Sequence, residues 1–228
     1  LEHAGILGIN VAIDNLNAIH KFASPGDVVL PSIFMPPLYA YFIYSIKLLF
    51  GNLFDVIKAI IFVQIIFSLI SIYLFFKISR KFENFNYSFL LTTVFSFFPI
   101  YIYSSSQISS IILQISLFLF FFYFLIELLN KKKLIYLIFF SIFSGLLILI
   151  RGEFILFYFI TIIYFFAYYK KNLRYFFLSI LVSLIVISPY LKRNHMFFDK
   201  IVLTKSFGYN LLKGNNPDFK VEGSTKYM

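Results

Sequence analysis

Three groups of polar residues, in a chain otherwise dominated by apolar ones, have the types and spacing to do chemistry. The first is Arg151-Gly152-Glu153. Arg occurs only at positions 80, 151, 174 and 193, and a guanidinium presents donors in a planar fork that matches two phosphate oxygens. Gly152 permits a sharp reversal, so the same three residues also fit a turn whose Arg and Glu simply cap two helices. The second group runs from Ser188 to Pro217 and gathers Lys192, Arg193, Lys200 and Lys205 with the amides of Asn194, Asn210, Asn215 and Asn216. Cations suit an anionic ligand, and amides that both donate and accept suit sugar hydroxyls. Asn215 and Asn216, set between Gly214 and Pro217, fit a plain turn equally well. The third group is the N-terminal stretch with Glu2, His3, Asp14, His20, Lys21 and Asp27, leading into Pro36-Pro37-Leu38-Tyr39. A carboxylate there can act as general base toward a hydroxyl or an amine, and the same composition also fits a solvated loop.

The elements that must hold these groups are helices in lipid. Of the 228 residues, 61% are hydrophobic and 13% charged, with 34 Phe and 17 Tyr. A soluble domain of this size cannot hide so much apolar surface, whereas a bilayer accepts it. Apolar stretches near 56–76, 85–104, 107–129, 134–150, 153–169 and 175–191 each approach the roughly 20 residues that cross a hydrocarbon core. Their apolar runs are continuous and do not alternate, which favours helices over barrel strands. The expected architecture is therefore all-α, a polytopic bundle of about six spans with one short interfacial helix. That short helix is residues 37–50, started by Pro36-Pro37 and ended at Gly51. The chain divides into an outer segment 1–36, a transmembrane domain 37–191 and a second outer segment 192–228.

The net charge of +10 is distributed in short runs between the apolar stretches: Lys77, Arg80 and Lys81; Lys131, Lys132 and Lys133; Lys170, Lys171 and Arg174. With six crossings all three runs fall on one side, which the positive-inside rule makes cytoplasmic. The three polar groups then share the extracytoplasmic side. This pattern is that of a membrane protein, not the footprint of nucleic-acid binding, so no nucleic acid is expected as a partner. With no Cys, disulfide and thiol chemistry are excluded. No His/Asp/Glu cluster has metal spacing and no phosphate loop or nucleophile elbow occurs. Leu1 at the start and the polar stretch ending at Met228 read as truncations at both ends.

Four short blocks then occur in order: Pro36-Pro37-Leu38-Tyr39 with a helix ending at Phe50-Gly51, Gly145-Leu-Leu-Ile-Leu-Ile-Arg151-Gly-Glu153, Pro189-Tyr-Leu-Lys-Arg193-Asn194, and Gly208-Tyr-Asn-Leu-Leu-Lys-Gly214-Asn-Asn-Pro217. Together they resemble the dolichyl-phosphate-mannose-protein mannosyltransferase-like family of integral membrane glycosyltransferases with the GT-C fold. The resemblance implies inverting transfer of a sugar from a polyprenyl-phosphate donor to a lipid, glycan or protein acceptor, at the outer face of a bacterial-type plasma membrane, without metal or cofactor. It also implies a general base in the first outer loop, where Glu2 stands ahead of Asn10-Val-Ala-Ile-Asp-Asn-Leu16 without a second adjacent acid. Arg151, Glu153, Lys192, Arg193, Asn194, Asn210, Asn215, Asn216 and Tyr39 are then the expected substrate-binding residues. The alternative is a flippase or polymerase subunit for lipid-linked oligosaccharides. It would favour charges buried in mid-span, and the spans here are nearly free of them.

Overall fold

A computed structural model describes residues 35–51, 55–168, 173–204 and 215. Its described residues form helices and no strand: α1 (Leu38–Phe50), α2 (Val56–Ser79), α3 (Phe85–Ser96), α4 (Pro99–Ser105), α5 (Ser110–Lys131), α6 (Leu134–Ile150), α7 (Phe154–Tyr168) and α8 (Leu173–Phe198). The expected all-α membrane bundle is what the chain forms. Helices α2, α5 and α8 are long and apolar enough to cross a membrane, and α3 with α4 makes a fourth if that bent pair is one span. Six spans were expected. The difference lies in α6 and α7, which are apolar but only 17 and 15 residues long.

Local chemistry explains the boundaries. Asp55, Asn84 and Ser109 cap α2, α3 and α5 by accepting from the backbone N–H of Ile57, Tyr87 and Ile111, meeting donors that a helix start leaves orphaned. The expected single span 85–104 is broken because Pro99 has no N–H to continue the ladder and holds Phe98 extended at φ −64°, ψ 120°. The two halves meet at 59°. In α8 a second proline, Pro189, breaks nothing. It leaves the Ile185 carbonyl without its usual donor, and Ser188 Oγ donates to that oxygen at 3.0 Å. The helix therefore runs past the expected boundary at 191 to Phe198, where Asp199 (φ 51°) closes it by donating its N–H to the His195 carbonyl.

Helix α6 is the axis of the bundle. Leu137, Phe140, Ser141, Ser144, Gly145 and the run Leu147–Ile150 are buried in it against α5, α7 and α8. Apolar contact gains nothing over lipid inside a bilayer, so small residues and interhelical hydrogen bonds must join helices. Ser141 and Ser179 share a hydrogen bond at 2.7 Å, Ser183 donates to the Ser141 carbonyl at 2.9 Å, and the Tyr158 hydroxyl joins both Ser179 and Ser183. A second set ties α2 to α5 and α4: Ser71 to Ser116, Gln64 Nε2 to the Ser109 carbonyl, and Tyr101 to the Ser68 carbonyl. Outward-facing Phe62, Leu69, Phe89, Leu156 and Ile160 are left for lipid.

A β carbon on Gly145 would lie 2.8 Å from Val186 Cβ and 3.1 Å from the Ser183 carbonyl oxygen. Gly145→Val should therefore destabilise the fold by about 1–3 kcal/mol through overpacking. Thermal unfolding in detergent should show it, with lipid-facing Phe62→Leu as the near-neutral comparison.

Candidate active site

The short α6 determines where the site forms. Residue counting at about 1.5 Å per residue carries α6 only some 26 Å from its start beside the end of α5. The same rise along α5, counted back from Lys131, reaches Gln114, and along α8 it reaches Tyr190. The turn after α6 therefore lies a turn or more below the ends of its neighbours. A recess results, lined by Gln114, Ile115, Phe118, Arg151, Glu153, Phe154 and Phe157, with a volume of about 430 Å³.

Arg151 is the extended residue closing α6, and its N–H still bonds the Leu147 carbonyl at 2.9 Å. The carbonyls of Arg151, Gly152 and Glu153 accept from Phe154, Ile155 and Leu156, so the turn passes directly into α7. The Arg151 and Glu153 side chains approach to 3.7 Å with exposures of 47% and 71%. Such a solvated pair is worth about 0–1 kcal/mol. The guanidinium thus sits at the mouth of an apolar recess, loosely paired.

The last turns of α8 roof this end of the bundle. Lys192 is exposed, Arg193 half-buried and Asn194 fully buried. Asn194 spends both ends of its amide on the protein: Oδ1 accepts from Arg193 at 2.8 Å, and Nδ2 donates to the Val202 carbonyl at 2.7 Å. Beyond that clamp Leu203 packs on the core, and Thr204 Cγ2 lies 3.6 Å from where a β carbon on Gly152 would stand. The Arg193 guanidinium lies 5.4–5.8 Å from the ring centres of Tyr190, Phe197 and Phe198. Helix α1 closes another side. Tyr190 Oη reaches the Met35 carbonyl at 3.5 Å, and burial raises the Tyr41 phenol while the nearby Arg193 charge pulls it back down.

The structure thus brings Arg151, Glu153, Lys192, Arg193 and Asn194 to one end of the bundle. Tyr39 belongs to α1, where its ring stacks on Phe42 at 5.9 Å and its buried hydroxyl has no hydrogen-bond partner among the described residues. Burial pushes that phenol far up. Asn215 is exposed. Glu2, Asn210 and Asn216 lie outside the described residues. Sequence reasoning missed Gln114 and the walls Ile115, Phe118, Phe154 and Phe157. Gln114 carried a signal, since a carboxamide one turn inside an apolar helix is expensive without a task.

Comparison with known proteins agrees with this architecture. The model of the dolichyl-phosphate-mannose-protein mannosyltransferase family matches residues 35–192, well over half of the chain. The chain belongs to that family. It is accordingly an integral membrane glycosyltransferase of mannosyltransferase type. No curated protein and no solved structure matches it. The family match takes in α1, the whole recess and α8 up to Lys192, and leaves the Arg193–Asn194 clamp just beyond its edge.

Asn194→Leu should release the strap from the turn while leaving α8 intact. Losing a buried amide bond of about 1–3 kcal/mol should speed amide exchange at 202–204 roughly 5- to 150-fold. Hydrogen exchange with mass spectrometry checks this, with the α5 amides as the unchanged reference.

Proposed function

We propose that the protein moves a sugar from a polyprenyl-phosphate-linked donor to an acceptor at the outer face of the membrane, with inversion at the anomeric carbon. The observation that carries this reading is the recess itself. One guanidinium, loosely held by an exposed carboxylate, opens onto walls of Ile115, Phe118, Phe154 and Phe157. A ligand that satisfies both parts has a phosphate at one end and hydrocarbon next to it.

Sidedness follows from charge. Lys77, Arg80, Lys81, Lys131, Lys132, Lys133 and Arg174 gather at the end opposite the recess, and positive runs favour the cytoplasm. Helices α6 and α7 form a hairpin, so their shortness does not alter the parity. The recess then opens to the extracytoplasmic side.

In the proposed reaction a carboxylate, for which Glu2 is the candidate, takes the proton from an acceptor hydroxyl. The acceptor oxygen attacks the anomeric carbon from the face opposite the phosphate. The carbon–oxygen bond to phosphate breaks and its electron pair stays on the departing lipid phosphate. Arg151 receives that growing charge in a place where water is partly excluded, and Lys192 and Arg193 add positive potential. Asn194 acts by positioning Arg193. Asn210, Asn215 and Asn216 supply amides toward the sugar, with Tyr39 holding α1 against the site. Lipid, glycan and protein acceptors all fit this chemistry.

In the full-length protein, Arg151→Ala should lower kcat/KM for transfer from a polyprenyl-phosphate-mannose donor at least ~10-fold, with Arg151→Lys intermediate because a point charge replaces the fork. Unchanged transfer by a folded Arg151→Ala protein would overturn the assignment.

A further inference from the structure

The opposite end of the bundle holds a second cavity that sugar transfer does not use. It has a volume of about 310 Å³ and is lined by Tyr73, Phe76, Lys77, Arg80 and Lys81. Positions 73, 77, 80 and 81 recur at helical spacing, so the end of α2 presents them on one face. The cations there differ in how they are compensated. Lys81 is paired with Glu127 of α5, which is 1% exposed and also holds Lys131 at 2.6 Å. One carboxylate therefore serves two ammonium groups. Lys77 rests 5.2 Å from the Tyr73 ring centre. Arg80 lies 5.8 Å from the Phe85 ring centre and donates to the Glu83 carbonyl at 3.2 Å. Among the described residues, neither Lys77 nor Arg80 has a carboxylate within ion-pair distance.

We propose that this groove binds the phosphodiester headgroup of an anionic phospholipid, with Lys77 and Arg80 on the phosphate and the Tyr73 and Phe76 rings along the glycerol and upper acyl chain. Lys81 is committed to Glu127, which leaves Lys77 and Arg80, neither of them in an ion pair among the described residues, as the cations available to a ligand. Their neighbours select a lipid over a free anion. Phe82 and Phe85 flank the site with more than half of their surface exposed, which suits the boundary between headgroups and hydrocarbon. Basic pockets between membrane helices hold anionic headgroups by this combination of charge and adjoining apolar surface. The site stands apart from the recess at Arg151 and does not depend on the donor proposed there.

The test uses full-length protein in nanodiscs containing phosphatidylcholine with a small fraction of phosphatidylglycerol, read by native mass spectrometry of retained lipid. Wild type should retain phosphatidylglycerol over phosphatidylcholine. Lys77→Gln with Arg80→Gln should lose at least ~10-fold of that preference, as loss of charge-assisted hydrogen bonds to the headgroup phosphate implies. Lys133→Gln with Arg174→Gln removes the same charge from the same end and should change it little. Equal loss in the two double variants would mean a diffuse surface attraction and would overturn the proposal. Displacement of the lipid by millimolar inorganic phosphate would mark a free-anion site and also overturn it. Matched unfolding midpoints show that both variants are folded.

Discussion

Helix α6 approaches α8 so closely at Gly145 that a β carbon would collide with Val186 and the Ser183 carbonyl. That contact, with the two-residue link from Lys131 of α5 to Leu134 of α6, holds α6 at its height within the bundle. Seventeen residues are too few to match the 22 of α5 or the 26 of α8, so the shortfall appears at one end as a recess. A slip along α8 would move the Arg151 turn relative to Gln114 and close or empty that space. The Ser141, Ser179, Ser183 and Tyr158 bonds oppose such a slip. Each is worth about 0.6 kcal/mol in a membrane setting, and a change of register would break all of them together.

The two ends of the bundle are built differently. At the basic end α2 and α5 are pinned by charge, with Glu127 buried between Lys81 and Lys131. Removing that carboxylate would leave two ammonium groups crowded at one boundary. At the recess end no ion pair of that kind joins helices among the described residues. A neutral amide, Asn194, ties the strap 199–204 instead. The basic end is therefore joined by ion pairs, and the end bearing Arg151 and Arg193 by neutral hydrogen bonds and packing.

Hydropathy made the membrane solvent, the helical class and most helix starts legible, because lipid leaves an apolar backbone few choices. It failed where the backbone and the lipid end at different places. Lys192, Arg193 and Asn194 stop the apolar run, yet α8 continues for two more turns because Asn194 is buried on its inner face. In the opposite sense, Phe97-Phe98-Pro99 is apolar throughout but cannot stay one helix once Pro99 withdraws a donor. At the recess, Arg151 and Glu153 were visible as rare charges, and their apolar partners were not. Phe118, Phe154 and Phe157 are three of 34 phenylalanines, and only the tertiary offset between α5 and α6 distinguishes them from lipid-facing rings. Gln114 was the one wall residue whose polarity could have been noticed.

The pairing of Arg151 with Glu153 bears on how the proposed phosphate site can stay folded when empty. A guanidinium beside apolar walls needs a counter-charge, but a tight, buried one would compete with the ligand. At 3.7 Å, with Glu153 71% exposed, the carboxylate offsets the charge while contributing at most about 1 kcal/mol. In the proposed site a bidentate phosphate would make shorter, charge-assisted bonds to the same fork and would itself be partly desolvated by the recess. In the proposed reaction Glu153 can therefore swing to water as the lipid phosphate arrives. The exchange leaves Arg151 in place, so little reorganisation is needed when negative charge grows on the leaving group.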